Sequence, residues 1–115
     1  MAEYHEYEEE IQYFVILCTA SGIEEGQKIA RNLVEARLAA CVNLVKNVVS
    51  IFTWKGAVNE AEECLLVIKT RTELIHEIIE RIKSLHSYDV PEIIALPITD
   101  GNSAYLDWIQ EATNW

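Results

Sequence analysis

The side chains in this sequence with chemical potential are few, and they are chiefly cysteine, histidine and glutamate. Cys18, Cys41 and Cys64 lie far apart, form no CxxC pair, and fall on three segments that read as strands. An odd count at such spacing is not the disulfide framework of a small secreted protein. It reads as three free thiols in a reducing compartment. Cys18 stands in VILCTA, where a buried strand would use cysteine as a small apolar side chain. As a thiolate it would suit a soft ion such as Cu(I). Cys41, in AACVN, follows a helix end and opens a long strand. Packing comes first there and metal or redox chemistry second, because thiol reactivity needs exposure and a lowered pKa. Cys64 reads as core. His86 lies near a helix C-terminus, where it would cap or hydrogen-bond, since a cation is welcome there. His76 reads as surface, and His5, in an acidic tail, is given no role. No GxSxG, P-loop, HExxH or nucleophile paired with a base is present, so no enzymatic activity is expected. Glu60, Glu62 and Glu63 read as a solvated turn.

Charge narrows the partners. Nine Lys and Arg against 19 Asp and Glu give a net charge of −10. Nucleic-acid affinity rests on Lys and Arg, so neither nucleic acid nor an anionic membrane surface is an expected partner. A negative field suits cations. No apolar run approaches the length of a membrane span. MAEYHEYEEE has no cationic start and no apolar core, so it does not read as a secretory signal. The expected location is cytoplasmic. With 50% of residues apolar, one core forms without requiring a metal, giving a disordered acidic tail at 1–10 and a single domain at 11–115.

The elements that would position these side chains follow from periodicity. QYFVILCT (12–19) reads as a central buried strand. Ser21, with Glu24 three residues on, matches a capping box before a helix with Ile29, Ala30, Leu33 and Val34 on one stripe. A long apolar arm then runs to Trp54, with a change of alternation phase around Lys46 to Val48 that points to a bulge. KGAVNEAEE, with Gly56 and Asn59, reads as the turn, and EECLLVIKT as a shorter second arm. From Val42 to Trp54 the first arm would reach roughly 40 Å, whereas a compact chain of this length is about 35 Å across. A projecting apolar hairpin needs a second chain to cover it, so an oligomer is expected. Thr72 reads as the cap of a second helix carrying Ile75, Ile78, Ile79 and Ile82. Pro91 then ends that helix, EIIALPI forms another strand, and Asn102 or Ser103 caps a last short helix. The order is βαββαβ plus a C-terminal helix, an α+β ferredoxin-like split βαβ plan. Its uncovered sheet face is a second reason to expect an oligomer.

VILCTA, EARLAACVNLV, the TWKG turn, CLLVIKT, HSYDVPEI and GNSAYLDWI occur in unbroken order over Phe14 to Ile109. Together they resemble the CutA family of divalent-cation tolerance proteins. The resemblance implies a homotrimer, similar in architecture to PII signalling proteins, that binds copper or another divalent cation and serves metal-ion tolerance. It also implies a metal-binding Cys at Cys18 and two adjacent His before VPE. His86 matches the second of these, while Leu85 stands in place of the first and Ser87 in place of a following Pro. Cys41 matches a family Cys. Lys69, Tyr88 and Glu92 recur in the family pattern and, by analogy with PII-like trimers, would line a cleft between subunits. The alternative function is a signalling or scaffold trimer that binds a small molecule or partner protein in those clefts.

Overall fold

Side chains alternate across a strand, so each strand asks for cover on two sides, and the fold is set by where that cover comes from. A computed structural model describes residues 11–114, and the proposed tail at 1–10 lies outside them. In chain order the elements are β1 (Tyr13–Ala20), α1 (Ile23–Glu35), β2 (Cys41–Trp54), β3 (Ala57–Arg71), a 3₁₀ turn (Thr72–Leu74), α2 (Ile75–Leu85), β4 (Ile93–Pro97) and α3 (Ser103–Ala112). The chain is α+β. Its four-stranded sheet runs β2-β3-β1-β4, and every adjacent pair is antiparallel.

One sheet face carries Ile16, Cys18 and Ala20 of β1 beside Cys64, Leu66 and Ile68 of β3. Against them pack Ile29 and Leu33 of α1 and Ile78 and Ile82 of α2. This is the core, and it explains the helical spacing of those residues. Val34, at the edge of the α1 stripe, is exposed. Gly26 lets α1 approach β3 closely, since a Cβ there would lie 2.9 Å from the Cys64 sulfur. On the opposite face α3 docks near the end of β3. There Arg71 donates from Nε to Thr113 Oγ1 (2.9 Å) and from Nη2 to the Thr113 carbonyl (3.0 Å). The rest of that face has no helix. Leu65 and Val67 are half-buried on it, and Ile94 and Leu96 are exposed.

The hairpin is longer than its second arm suggested. β2 has 14 residues and β3 has 15, joined by Lys55 and Gly56 with φ of 50° and 77°. Two successive positive φ angles match the right-handed twist of the flanking strands. KGAVNEAEE is therefore mostly strand. Asn59 pairs with Phe52, and its amide nitrogen donates to the Ala57 carbonyl at 3.1 Å. Glu60, Glu62 and Glu63 sit on β3 rather than in a solvated turn, because Ile51, Val49 and Val48 pair with them. The expected bulge is present: register shifts between Val45 and Val48, with Asn47 at φ 59°. The hairpin draws the subunit out to 47 Å along its longest axis, with a radius of gyration of 15.6 Å, against about 13 Å for a compact chain of this size.

Two caps differ from expectation. Gly22, not Ser21, is the N-cap of α1, and Glu25 rather than Glu24 takes the Ser21 N–H at 2.9 Å. The longer reach lets Glu25 serve a second partner described below. Thr72 does not cap α2. It opens the 3₁₀ turn and donates its hydroxyl to the Ile11 carbonyl at 3.1 Å, tying β3 to the start of the chain. Asn102 does cap α3, accepting from the Ala104 N–H.

The Gly26 contact sets a sign-changing test. Gly26→Ala should destabilise the fold by about 1–3 kcal/mol through overpacking against Cys64. In a Cys64→Ala background the same change should instead stabilise by up to about 1 kcal/mol, the gain in helix propensity. Denaturant melts of the four proteins read both values.

Candidate functional site

Residues 86–92 leave α2 and cross beside the end of β1, and their path builds the site. The His86 N–H still bonds to Ile82, closing the helix. Its ring is fully buried. Nδ1 accepts from the Tyr88 N–H at 3.0 Å, so Nε2 carries a proton, which it donates to the Thr19 carbonyl at 2.7 Å. The buried Cys18 thiol turns to the same carbonyl at 3.7 Å. The two proposed ligands are thus brought together, but in donor roles: both point a hydrogen at one oxygen. Burial, and then the negative charges of Glu92, Glu25 and Glu63, push the Cys18 thiol up to about 12. A metal at this pair would have to displace both protons.

Glu25 organises the approach. Its carboxylate accepts from the Ser21 N–H and, at 2.8 Å, from the Ser87 N–H, and it lies 3.9 Å from His86 Nδ1. Burial pushes its pKa up, but the hydrogen bonds from Ser21 and Ser87 outweigh that and hold it at about 2. One residue on, the Tyr88 ring stands 4.7 Å from that of His86. Its hydroxyl donates to Glu63 Oε2 at 2.8 Å. Burial and then the Glu63 carboxylate push the Tyr88 phenol up to about 12, so it remains a donor.

Beyond this pair opens a cavity of about 870 Å³ between the distal hairpin and residues 88–92. Thr19, Phe52, Trp54, Glu60, Glu63, Tyr88, Asp89 and Glu92 line it. The acidic side chains face no Lys, Arg or His among the lining residues. Among the described residues, no three His, Cys, Asp or Glu side chains are grouped closely enough to hold a metal ion. Of the proposed cleft residues, Tyr88 and Glu92 meet here. Lys69 does not: its ammonium lies 3.9 Å from the Cys41 sulfur on the α3 side of the sheet. Cys41 is half-buried, whereas Cys18 and Cys64 are buried. The side chains missed from sequence are Glu63 and Trp54. Extending the β3 period back to Ala57 would have placed Glu63 on the face opposite Cys64.

No helix among the described residues is long and apolar enough to cross a membrane. The family model described as CutA1 divalent ion tolerance protein matches residues 14–112. The chain is 52% identical over 99 residues to the divalent-cation tolerance protein CutA of Thermus thermophilus, covering 86% of this chain and 96% of that protein. It is 44% identical to the chloroplastic protein CutA of Arabidopsis thaliana, also over 86% of this chain but only 54% of that protein. It therefore spans about half the length of that plant relative. Among solved structures, CutA1 of Oryza sativa superimposes with a TM-score of 0.88 at 41% identity, over 90% of this chain and 95% of that one. A structure titled as the periplasmic divalent cation tolerance protein CutA of Archaeoglobus fulgidus gives 0.86 at 40% identity, over 89% and 99%.

Glu25 carries the pH prediction. Its folded pKa lies below the ordinary 4.5, so its stabilising contribution is present above pH 4.5 and fades as pH falls toward 2. Chemical denaturation midpoints measured from pH 6 to pH 2 should fall over that window. Glu25→Gln, which still accepts a hydrogen bond but does not titrate, should make the fall shallower.

Proposed function

This chain belongs to the CutA1 divalent ion tolerance family, and we propose on that premise that it binds metal ions, copper among them, as a homotrimer serving metal-ion tolerance. Binding rather than catalysis is the role, and residues 11–115 act as one domain. Three free cysteines among the described residues fit a reducing compartment, the cytoplasm by default. The sheet order β2-β3-β1-β4 suits a ferredoxin-like split βαβ plan with α3 added. Support for the trimer is the apolar surface left on the hairpin and on β4, with Val49, Ile51, Trp54 and Val58 all more than half exposed.

The observation that carries the metal reading is Glu63. This carboxylate is only 8% exposed, lines the acidic cavity, and has no cationic partner among the described residues. Tyr88 holds one of its oxygens, and a bound cation would supply the counter-charge that the lining lacks. Two donor sets compete. Cys18 and His86 would suit soft Cu(I) but must first release two hydrogen-bonded protons. Glu63 and Glu92 are oxygen donors suited to harder divalent ions and need no such release. A neighbouring copy would contribute the remaining ligands.

A second reading has its own support. Phe52, Trp54 and Val90 give the cavity exposed apolar walls, which a bare ion does not use. A PII-like trimer that takes a small molecule or partner protein in this cleft would use them.

Titrating metal-free protein with Mn(II), and with Cu(I) against a competing chelator, separates the donor sets. Glu63→Gln and Glu92→Gln should each weaken Mn(II) by about tenfold, the equivalent of one lost contact of about 1.4 kcal/mol. Cys18→Ser should weaken Cu(I) most at alkaline pH. Saturable binding of neither ion would contradict the metal reading.

A further inference from the structure

Away from the acidic cavity, a second group of titratable side chains meets at the base of the hairpin. Cys41 opens β2 and pairs directly across the ladder with Lys69 of β3. That register brings the Lys69 ammonium to 3.9 Å from the Cys41 sulfur, toward which it donates. The Tyr105 hydroxyl of α3 hydrogen-bonds the same sulfur, and burial and then Cys41 raise the Tyr105 phenol. Three elements thus converge on one thiol, and two of them bring it hydrogen-bond donors. The cluster is built within one chain. It lies before the bulge and beside α3, not on the distal hairpin left for sister copies.

The other two cysteines serve as controls. Cys18 and Cys64 are buried, while Cys41 is half-buried. Burial and then nearby carboxylates push the Cys18 thiol up to about 12, and burial raises that of Cys64. Thiol reactivity goes with partial exposure beside a positive charge, and Cys41 alone combines the two among the described residues. We propose that Cys41 is a peroxide-reactive thiol, oxidised reversibly to sulfenic acid, with Lys69 and Tyr105 as its positioning residues. The thiolate sulfur attacks one oxygen of hydrogen peroxide. An S–O bond forms as the O–O bond breaks, so sulfur is oxidised and the peroxide is reduced. The leaving hydroxide takes a proton from the Lys69 ammonium and departs as water, and the lysine is reprotonated from solvent. Hydrogen bonds from the ammonium and the Tyr105 hydroxyl steady the thiolate before attack. Cys64 packs on the opposite face of the sheet, so the sulfenic acid meets no resolving thiol there. Two molecules of a small thiol return it to Cys41, leaving their disulfide and water. The inference is independent of the metal and cleft readings.

Treating the intact oligomer with hydrogen peroxide, trapping sulfenic acid with dimedone and mapping the label by peptide mass tests it. Cys41 should be labelled at least about tenfold faster than Cys18 or Cys64, whose raised pKa values leave little thiolate at neutral pH. Lys69→Met should slow the labelling of Cys41 by about tenfold, whereas Lys69→Arg, which keeps the charge, should stay within about twofold of the native rate. Tyr105→Phe, which removes only the hydroxyl, should slow it by about threefold. Cys41→Ser should abolish the fast label. An unlabelled Cys41 in the folded oligomer would overturn the proposal, including the case in which a neighbouring copy seals it. Equal labelling of the three cysteines would overturn it as well, as would native rates in both Lys69→Met and Tyr105→Phe.

Discussion

Everything in this fold depends on one ladder, the pairing of β2 with β3 over more residues than one subunit can cover. Near its base the ladder is sheltered: Leu66 and Ile68 lie under the two helices and belong to the core. Past the bulge at Val45 to Val48 the helices stop and the strands continue. Val49, Ile51, Trp54 and Val58 are then left in solvent. Backbone pairing holds the two strands together, but it does nothing for these side chains. The edge of β2 and the exposed Ile94 and Leu96 of β4 add further unsatisfied surface. Edge strands of this length and composition are hazards in a free subunit and assets in an assembly.

The same ladder makes the site. Because β3 starts as early as Ala57, Glu63 is a strand residue with a fixed direction rather than a loose turn carboxylate. Because residues 86–92 cross beside the end of β1, His86 and Tyr88 lock onto Thr19 and Glu63. The distal hairpin then supplies Phe52 and Trp54 as the opposite wall. Cys18 lies behind this arrangement, and burial and the surrounding carboxylates both disfavour its thiolate. The carboxylates around the cavity thus add to burial in keeping the nearby thiol protonated.

Much of the fold was legible in the sequence. The α1 and α2 stripes, the bulge at Lys46 to Val48, the Asn102 cap and the apolar second face of β3 all follow from period and residue type, because burial enforces them. The second arm was misjudged because Asn59, Glu60, Glu62 and Glu63 look like turn residues. Their strand geometry comes from pairing with Val48 to Phe52, a tertiary effect that overrides local preference. The Ser21 and Thr72 caps failed for a related reason: Glu25 and the Ile11 carbonyl offered longer-range partners. For the site, Tyr88 and Glu92 were found through the resemblance and do share a cavity. Lys69 sits with Cys41 instead, and Glu63 was hidden within an acidic run that reads as a turn until the strand period is carried back through it.

The central claim is that the distal hairpin is held by sister copies, and mass in solution tests it most directly. Sedimentation equilibrium at micromolar concentration should return three times the 13.1 kDa mass of one chain, stable on dilution. A monodisperse species of single-chain mass, with the hairpin amides still protected from exchange, would contradict the account.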